Sequence, residues 1–123
     1  MEGNHNRYHT RILSFKYAFE GIYCALKEEP NLKFHALVAI LVIAAGSYFQ
    51  ISKTDWVELI ILIGLVISLE LTNTAIETVV DSLTQAAHPG AKMAKDIAAG
   101  AVLVISITAA IAGVIIFLPY VSQ

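Results

Sequence analysis

Cysteine, proline and charge are all scarce in this chain of 123 residues. The single Cys24 excludes an internal disulfide and cannot build a cysteine metal site, so it reads as a small apolar filler. Asp, Glu, Lys and Arg together make up 15% of the residues, and the net charge is −2. No basic patch interleaved with aromatics occurs, so nothing argues for nucleic acid as a partner. There is no GxxxxGK[ST] phosphate loop, no GxGxxG, no HExxH and no GxSxG. His5, His9, His35 and His88 show no ligand spacing to one another, and His35 reads as an interfacial hydrogen-bonding residue. Met1 to Lys16 is polar and basic, without an apolar core and a cleavage site, so membrane segments further along would carry the targeting. Internal repeats and low-complexity tracts are absent too.

What the chain has in abundance is apolar sequence. At 57% hydrophobic residues and a mean hydropathy of +0.68, it is too apolar for an ordinary soluble domain. Its length allows one domain, residues 1–123. After a polar, frayed start at 1–7, Ile12, Phe15, Phe19, Ile22 or Tyr23, and Leu26 recur at spacings of three and four, with Arg11, Lys16, Glu20 and Lys27 on other faces. This predicts an amphipathic helix over 7–29, lying in the membrane interface, packed on the protein's own spans, or both. Glu29-Pro30 interrupts it. Three apolar runs long enough to cross a bilayer follow, over 34–51, 55–83 and 91–118. Ser52 to Asp55 forms a turn with Thr54 or Asp55 as N-cap. Residues 86–90 form a loop, and the last helix ends near Leu118-Pro119. The expected class is all-α integral membrane.

Three spans place the termini on opposite sides. Arg7, Arg11, Lys16, Lys27, Lys33, Lys92 and Lys95 then share one side and Lys53 stands alone on the other. The positive-inside rule makes the N-terminal side cytoplasmic. Small residues of the third span (Ala98, Ala99, Gly100, Ala101, Ser106, Ala109, Ala110, Gly113) and Gly64 let membrane helices approach closely, which points to a homo-oligomer.

The second span ends in Glu70-Leu-Thr-Asn73-Thr-Ala-Ile-Glu77-Thr-Val-Val-Asp81. At ~100° per residue, Glu70, Glu77 and Asp81 fall within about 20° of one line, and Asn73 lies ~60° to its side. Ionisable groups near a membrane segment are costly and mark function. With the topology above, Glu29, Glu70, Glu77, Asp81, Lys95 and Asp96 gather at the cytoplasmic surface. Three readings stay open on spacing alone. Carboxylates with a lysine fit magnesium-assisted phosphoryl transfer from a nucleotide. They also fit a small proton- or cation-conducting oligomer. The third reading is an interhelical hydrogen-bond network.

The same residues carry a resemblance. Glu70 to Asp81 is similar to the E-x-x-N-[ST]-A-I-E-x-x-V-D signature of the small prokaryotic diacylglycerol kinase family. Ala94-Lys95-Asp96, Gly21 and Glu29 also fall into place, and the match covers nearly the whole chain. Lys33-Phe34-His35-Ala36, Ser68-Leu69-Glu70-Leu71, His88-Pro89 and Lys95 to Val102 resemble the Gram-positive branch, associated with phosphorylating undecaprenol. The resemblance implies an N-terminal surface helix, three membrane helices and a homotrimer with interfacial active sites in the plasma membrane. Its partners would be Mg2+, ATP and a lipid alcohol. It implies Glu70 as general base on the lipid hydroxyl and Asn73 beside the reacting atoms. Glu29 and Glu77 would bind magnesium. Arg11, Tyr17, Glu29, Glu77, His88, Lys95 and Asp96 would bind ATP, with Asp81 in support. Two departures stand out. Arg11 is one residue off its expected distance from Gly21, and Ala98-Ala99 replaces a glycine and a serine of the diacylglycerol-specific branch. The second favours undecaprenol over diacylglycerol.

Overall fold

The computed structural model describes the backbone of residues 3–84 and 86–123 and the side chains of 10–84 and 86–123. The side chains of His5, Arg7 and His9 thus lie outside the described residues. Four helices follow one another: α1 (Gly3–Glu28), α2 (Pro30–Phe49), α3 (Lys53–Leu83) and α4 (Pro89–Val121). The last three are long and apolar enough to cross a membrane. At ~1.5 Å per residue, the 31 residues of α3 run to about 46 Å, well beyond a hydrocarbon core of roughly 30 Å. One end must reach the headgroups.

Local chemistry sets the boundaries, and several differ from the sequence expectation. The first helix begins at Gly3, earlier than residue 7; residues 1–2 lie outside the described residues. Pro30 and Pro89 open α2 and α4, because a first-turn proline has no N–H to leave unpaired. Ser52, rather than Thr54 or Asp55, caps α3: its Oγ accepts from the Asp55 backbone N–H at 3.1 Å. Helix α4 continues through Pro119 to Val121, since the lost hydrogen bond falls in its last turn. Gln50 ends α2 in the left-handed region at φ 51°, and the Ile51 N–H donates to Gly46 O at 3.2 Å. That turn drives the chain straight back. A Cβ on Gly46 would come within 2.9 Å of the Trp56 ring, so glycine lets the indole lie against α2.

Helix α3 packs against each of the other three, most extensively against α4. Its antiparallel register with α4 is set at both ends. Tyr120 donates its hydroxyl hydrogen to Asp55 Oδ2 at 2.6 Å and accepts from the Ser52 N–H at 3.0 Å. At the other end, Lys95 Nζ donates to Asp81 at 2.8 and 3.1 Å. The compact core lies at the Tyr120 end, where Ile51, Leu59 and Ile116 are buried among Val42, Phe49, Trp56, Ile63 and Phe117. Most other large apolar side chains are exposed, which suits helices surrounded by lipid or further protein. On α1, Ile12, Phe15, Phe19 and Tyr23 are each about 70% exposed, so the amphipathic face is not covered by the chain's own spans. Ala25 and Leu26, at its end, are half-buried.

Candidate functional site

Glu70 and Asn73, one helical turn apart on α3, are the only polar residues classed with the core among the described residues, at 2% and 7% exposure. The hydroxyls around them bond to the helix's own backbone. Thr72 and Thr78 donate to carbonyls four residues back at 2.8 Å each, and Ser82 does so at 2.6 Å. The amide oxygen of Asn73 is buried without a hydrogen-bond partner. A buried acceptor left unmade costs about 1–3 kcal/mol, so this oxygen is open to a donor from outside the chain.

Three more ionisable groups stand near Glu70. Its carboxyl is buried, with His35, Glu77 and Glu29 near enough to act on it electrostatically. Glu29 is half-buried at the α1–α2 break, and as N-cap residue of α2 it makes no side-chain cap bond. The Gly46–Trp56 contact holds the end of α2 against α3, and further along the same pair of helices His35 comes near Glu70. Among the described residues, no three His, Cys, Asp or Glu side chains come close enough to enclose a metal ion. Two carboxylates, Glu29 and Glu77, do suit magnesium, which is usually held by one or two protein carboxylates with phosphate oxygens and water completing its shell.

A second polar cluster lies toward the end of α3. A cleft of about 360 Å³ is lined by Asp81, Thr84, His88, Lys92, Lys95 and Asp96, among others. Lys95 bridges to Asp81 across the two helices, and Lys92 pairs with Asp96 along α4. His88 caps α4: its Nδ1 accepts from the N–H groups of Gly90 at 3.1 Å and Ala91 at 3.4 Å. A Cβ on Gly90 would meet that ring at 3.2 Å, so the glycine admits the cap. Nδ1 is therefore committed to the backbone, leaving Nε2 for a ligand.

Comparison with known proteins decides what this arrangement belongs to. Residues 16–117 match the family described as prokaryotic diacylglycerol kinase. The chain belongs to the prokaryotic diacylglycerol kinase family. It is 46% identical over 106 residues to an undecaprenol kinase of Bacillus subtilis, covering 86% of each chain. It is 40% identical over 109 residues to a diacylglycerol kinase of Synechocystis, covering 88% of this chain and 62% of that one. A diacylglycerol kinase of Escherichia coli is 30% identical over 103 residues, covering 83% of this chain and 84% of the relative.

Membership makes the chain a membrane lipid kinase and selects phosphoryl transfer from the three chemistries left open by spacing. Of the residues marked by the family signature, the fold brings Glu29, Glu70, Asn73 and Glu77 into one neighbourhood. Asp81, His88, Lys95 and Asp96 form a second group at the same end of α3. Arg11 and Tyr17 are exposed on α1, and neither is among the residues that line the cleft around Lys95. His35 is the residue near Glu70 that sequence reasoning left as an interfacial side chain. Its signal was a lone ionisable group at the start of an apolar run.

Proposed function

We propose that this kinase transfers the γ-phosphoryl group of ATP to undecaprenol, giving undecaprenyl phosphate. The observation that carries the site is the buried Glu70–Asn73 pair, with Glu29 and Glu77 close enough to act on it electrostatically. The 46% identity to an undecaprenol kinase supports the choice of lipid. Three helices long and apolar enough to span place the protein in a membrane. The lysine and arginine distribution supports a plasma-membrane topology with N-terminus and site on the cytoplasmic side.

In this reading, Glu70 takes the proton of the lipid hydroxyl as its oxygen bonds to the γ-phosphorus. The bond from that phosphorus to the bridging oxygen breaks, and ADP leaves. Asn73 offers its unpaired amide oxygen to orient groups at the reacting centre. Glu29 and Glu77 hold the magnesium of Mg-ATP, which supplies charge neutralisation on the phosphates. Lys95 and Asp96 contact the nucleotide, with Tyr17 and Arg11 reaching it from α1, and His88 from the loop. Asp81 keeps Lys95 aimed across the α3–α4 gap. The uncovered apolar face of α1 suits a helix lying in the interface, over the site, where it limits access of water. The exposure of so much apolar surface on α2–α4 suits a homotrimer whose sites are completed between chains.

The test is phosphate transfer from Mg-ATP to undecaprenol or diacylglycerol at matched mole fractions in mixed micelles. Preference for undecaprenol supports the reading. Preference for diacylglycerol keeps the mechanism and changes the substrate. Transfer to neither by folded protein overturns it.

A further inference from the structure

A second cleft, of about 520 Å³, runs between α2, α3 and α4 at membrane depth. Its lining is apolar except for His35 and Ser106. The α2–α3 register brings His35 next to the Glu70 level, and the α3–α4 register puts Ser106 opposite Glu70 itself. The two polar groups thus mark the end of the cleft nearest the candidate site. The Ser106 hydroxyl is buried there without a hydrogen-bond partner. At the other end, Val42, Leu59, Ile63 and Phe117 belong both to the lining and to the packed core around Ile51 and Ile116. The ring of Phe49 closes edge-on against Phe117, with centroids 6.3 Å apart. The cleft therefore borders the packed core at the Tyr120 end, and His35 and Ser106 mark its other end.

We infer that this cleft receives the first part of the lipid alcohol's tail and reads its length, a step that rests on the lipid kinase reading above. A mostly apolar cavity with a few convergent polar groups has the usual make-up of a small-molecule site. From the Leu59 level to the Glu70 level is roughly 16 Å at 1.5 Å per residue. Over that length the lining is apolar side chains from three helices, with His35 and Ser106 as its polar members. That lining, polar only toward the Glu70 level, suits an aliphatic chain that ends in a hydroxyl. About twelve carbons in zigzag, with C–C bonds near 1.5 Å, or about three isoprene units, reach from end to end. The rest of a longer tail stays in the bilayer.

Gly113 makes the depth adjustable. It lines the cleft, and a Cβ there would meet nothing within 4 Å, so a larger side chain grows into the void. Because a tail leaves lipid rather than water, filling the cleft gains packing contacts and little hydrophobic transfer energy, so effects of several-fold are expected.

The test compares kcat/KM for geraniol, farnesol, geranylgeraniol and undecaprenol in mixed micelles, for wild type, Gly113→Leu and Ala110→Val, each checked for fold by thermal melting and for oligomeric mass. Wild type should rise several-fold up to farnesol or geranylgeraniol and then level off. Gly113→Leu should level off at a shorter prenol, and Ala110→Val should shift the same way by less. A steady rise to undecaprenol in wild type overturns the inference, as does an unshifted profile in both folded variants. A changed oligomeric mass in the variants, with the profile unshifted, would give the cleft to a second copy of the chain instead. Failure of wild type to phosphorylate any lipid alcohol would bring down the kinase reading itself, which the other outcomes leave standing.

Discussion

Replacing Glu70 by glutamine separates its chemistry from its packing. The side chain is 2% exposed, so its volume matters, and glutamine conserves that volume while removing the charge. Taking a carboxylate out of water is costly, so the amide should leave stability equal or somewhat higher, and the melting temperature in detergent should not fall. Catalysis should respond very differently. A positioned general base contributes about 10²–10⁴-fold, which at ~1.36 kcal/mol per decade amounts to roughly 3–5 kcal/mol of barrier. The expected result is a kcat lowered by that factor, with little change in the KM for ATP, since Glu70 is assigned to the lipid hydroxyl. Glu70→Asp, which keeps a base but shortens its reach by one methylene, should fall between the two. The assay is phosphate transfer to undecaprenol in mixed micelles under saturating Mg-ATP. Turnover close to wild type in folded Glu70→Gln would refute the role of this carboxylate. So would an equal loss on binding of ATP alone, because that would put Glu70 on the nucleotide.

Other perturbations bear on the neighbouring groups. Glu29→Gln or Glu77→Gln should raise the magnesium concentration for half-maximal activity, as each removes a hard oxygen donor; an unchanged titration would count against both. Lys95→Met should lower kcat/KM for ATP by about 10- to 100-fold, the range for hydrogen bonds to charged groups. Lys92→Met should cost much less, because Lys92 pairs with Asp96 on its own helix; equal losses would undo the distinction. Tyr120→Phe breaks the link between α4 and the α2–α3 turn at the far end of the molecule. It should lower the melting temperature in detergent while the KM for ATP holds, and a rise in that KM would tie this end to the nucleotide.

Much of this was legible in the order of residues, because it depends on one helix at a time. Three apolar runs suffice for three long helices, and ~100° per residue suffices to align Glu70, Glu77 and Asp81. The signature from Glu70 to Asp81 likewise lies within one helix, which is why the family could be read from it. Helix ends were read less well. Ser52, Pro30 and Pro89 set them through cap bonds and missing N–H groups, and those depend on the local path of the turn.

What required the tertiary structure was everything set by the register between helices. His35 meets the Glu70 neighbourhood because the left-handed Gln50 and the Gly46–Trp56 contact fix how α2 lies on α3. Lys95 finds Asp81, and Tyr120 finds Asp55, because α4 runs antiparallel to α3 in one register. Ala109, Ala110 and Gly113 show the limit most clearly. Small residues on an apolar helix read equally as a contact face between chains or as the wall of a space within one. Only the rotation of α4 about its axis, set by packing at both ends, turns them toward the cleft beneath Glu70.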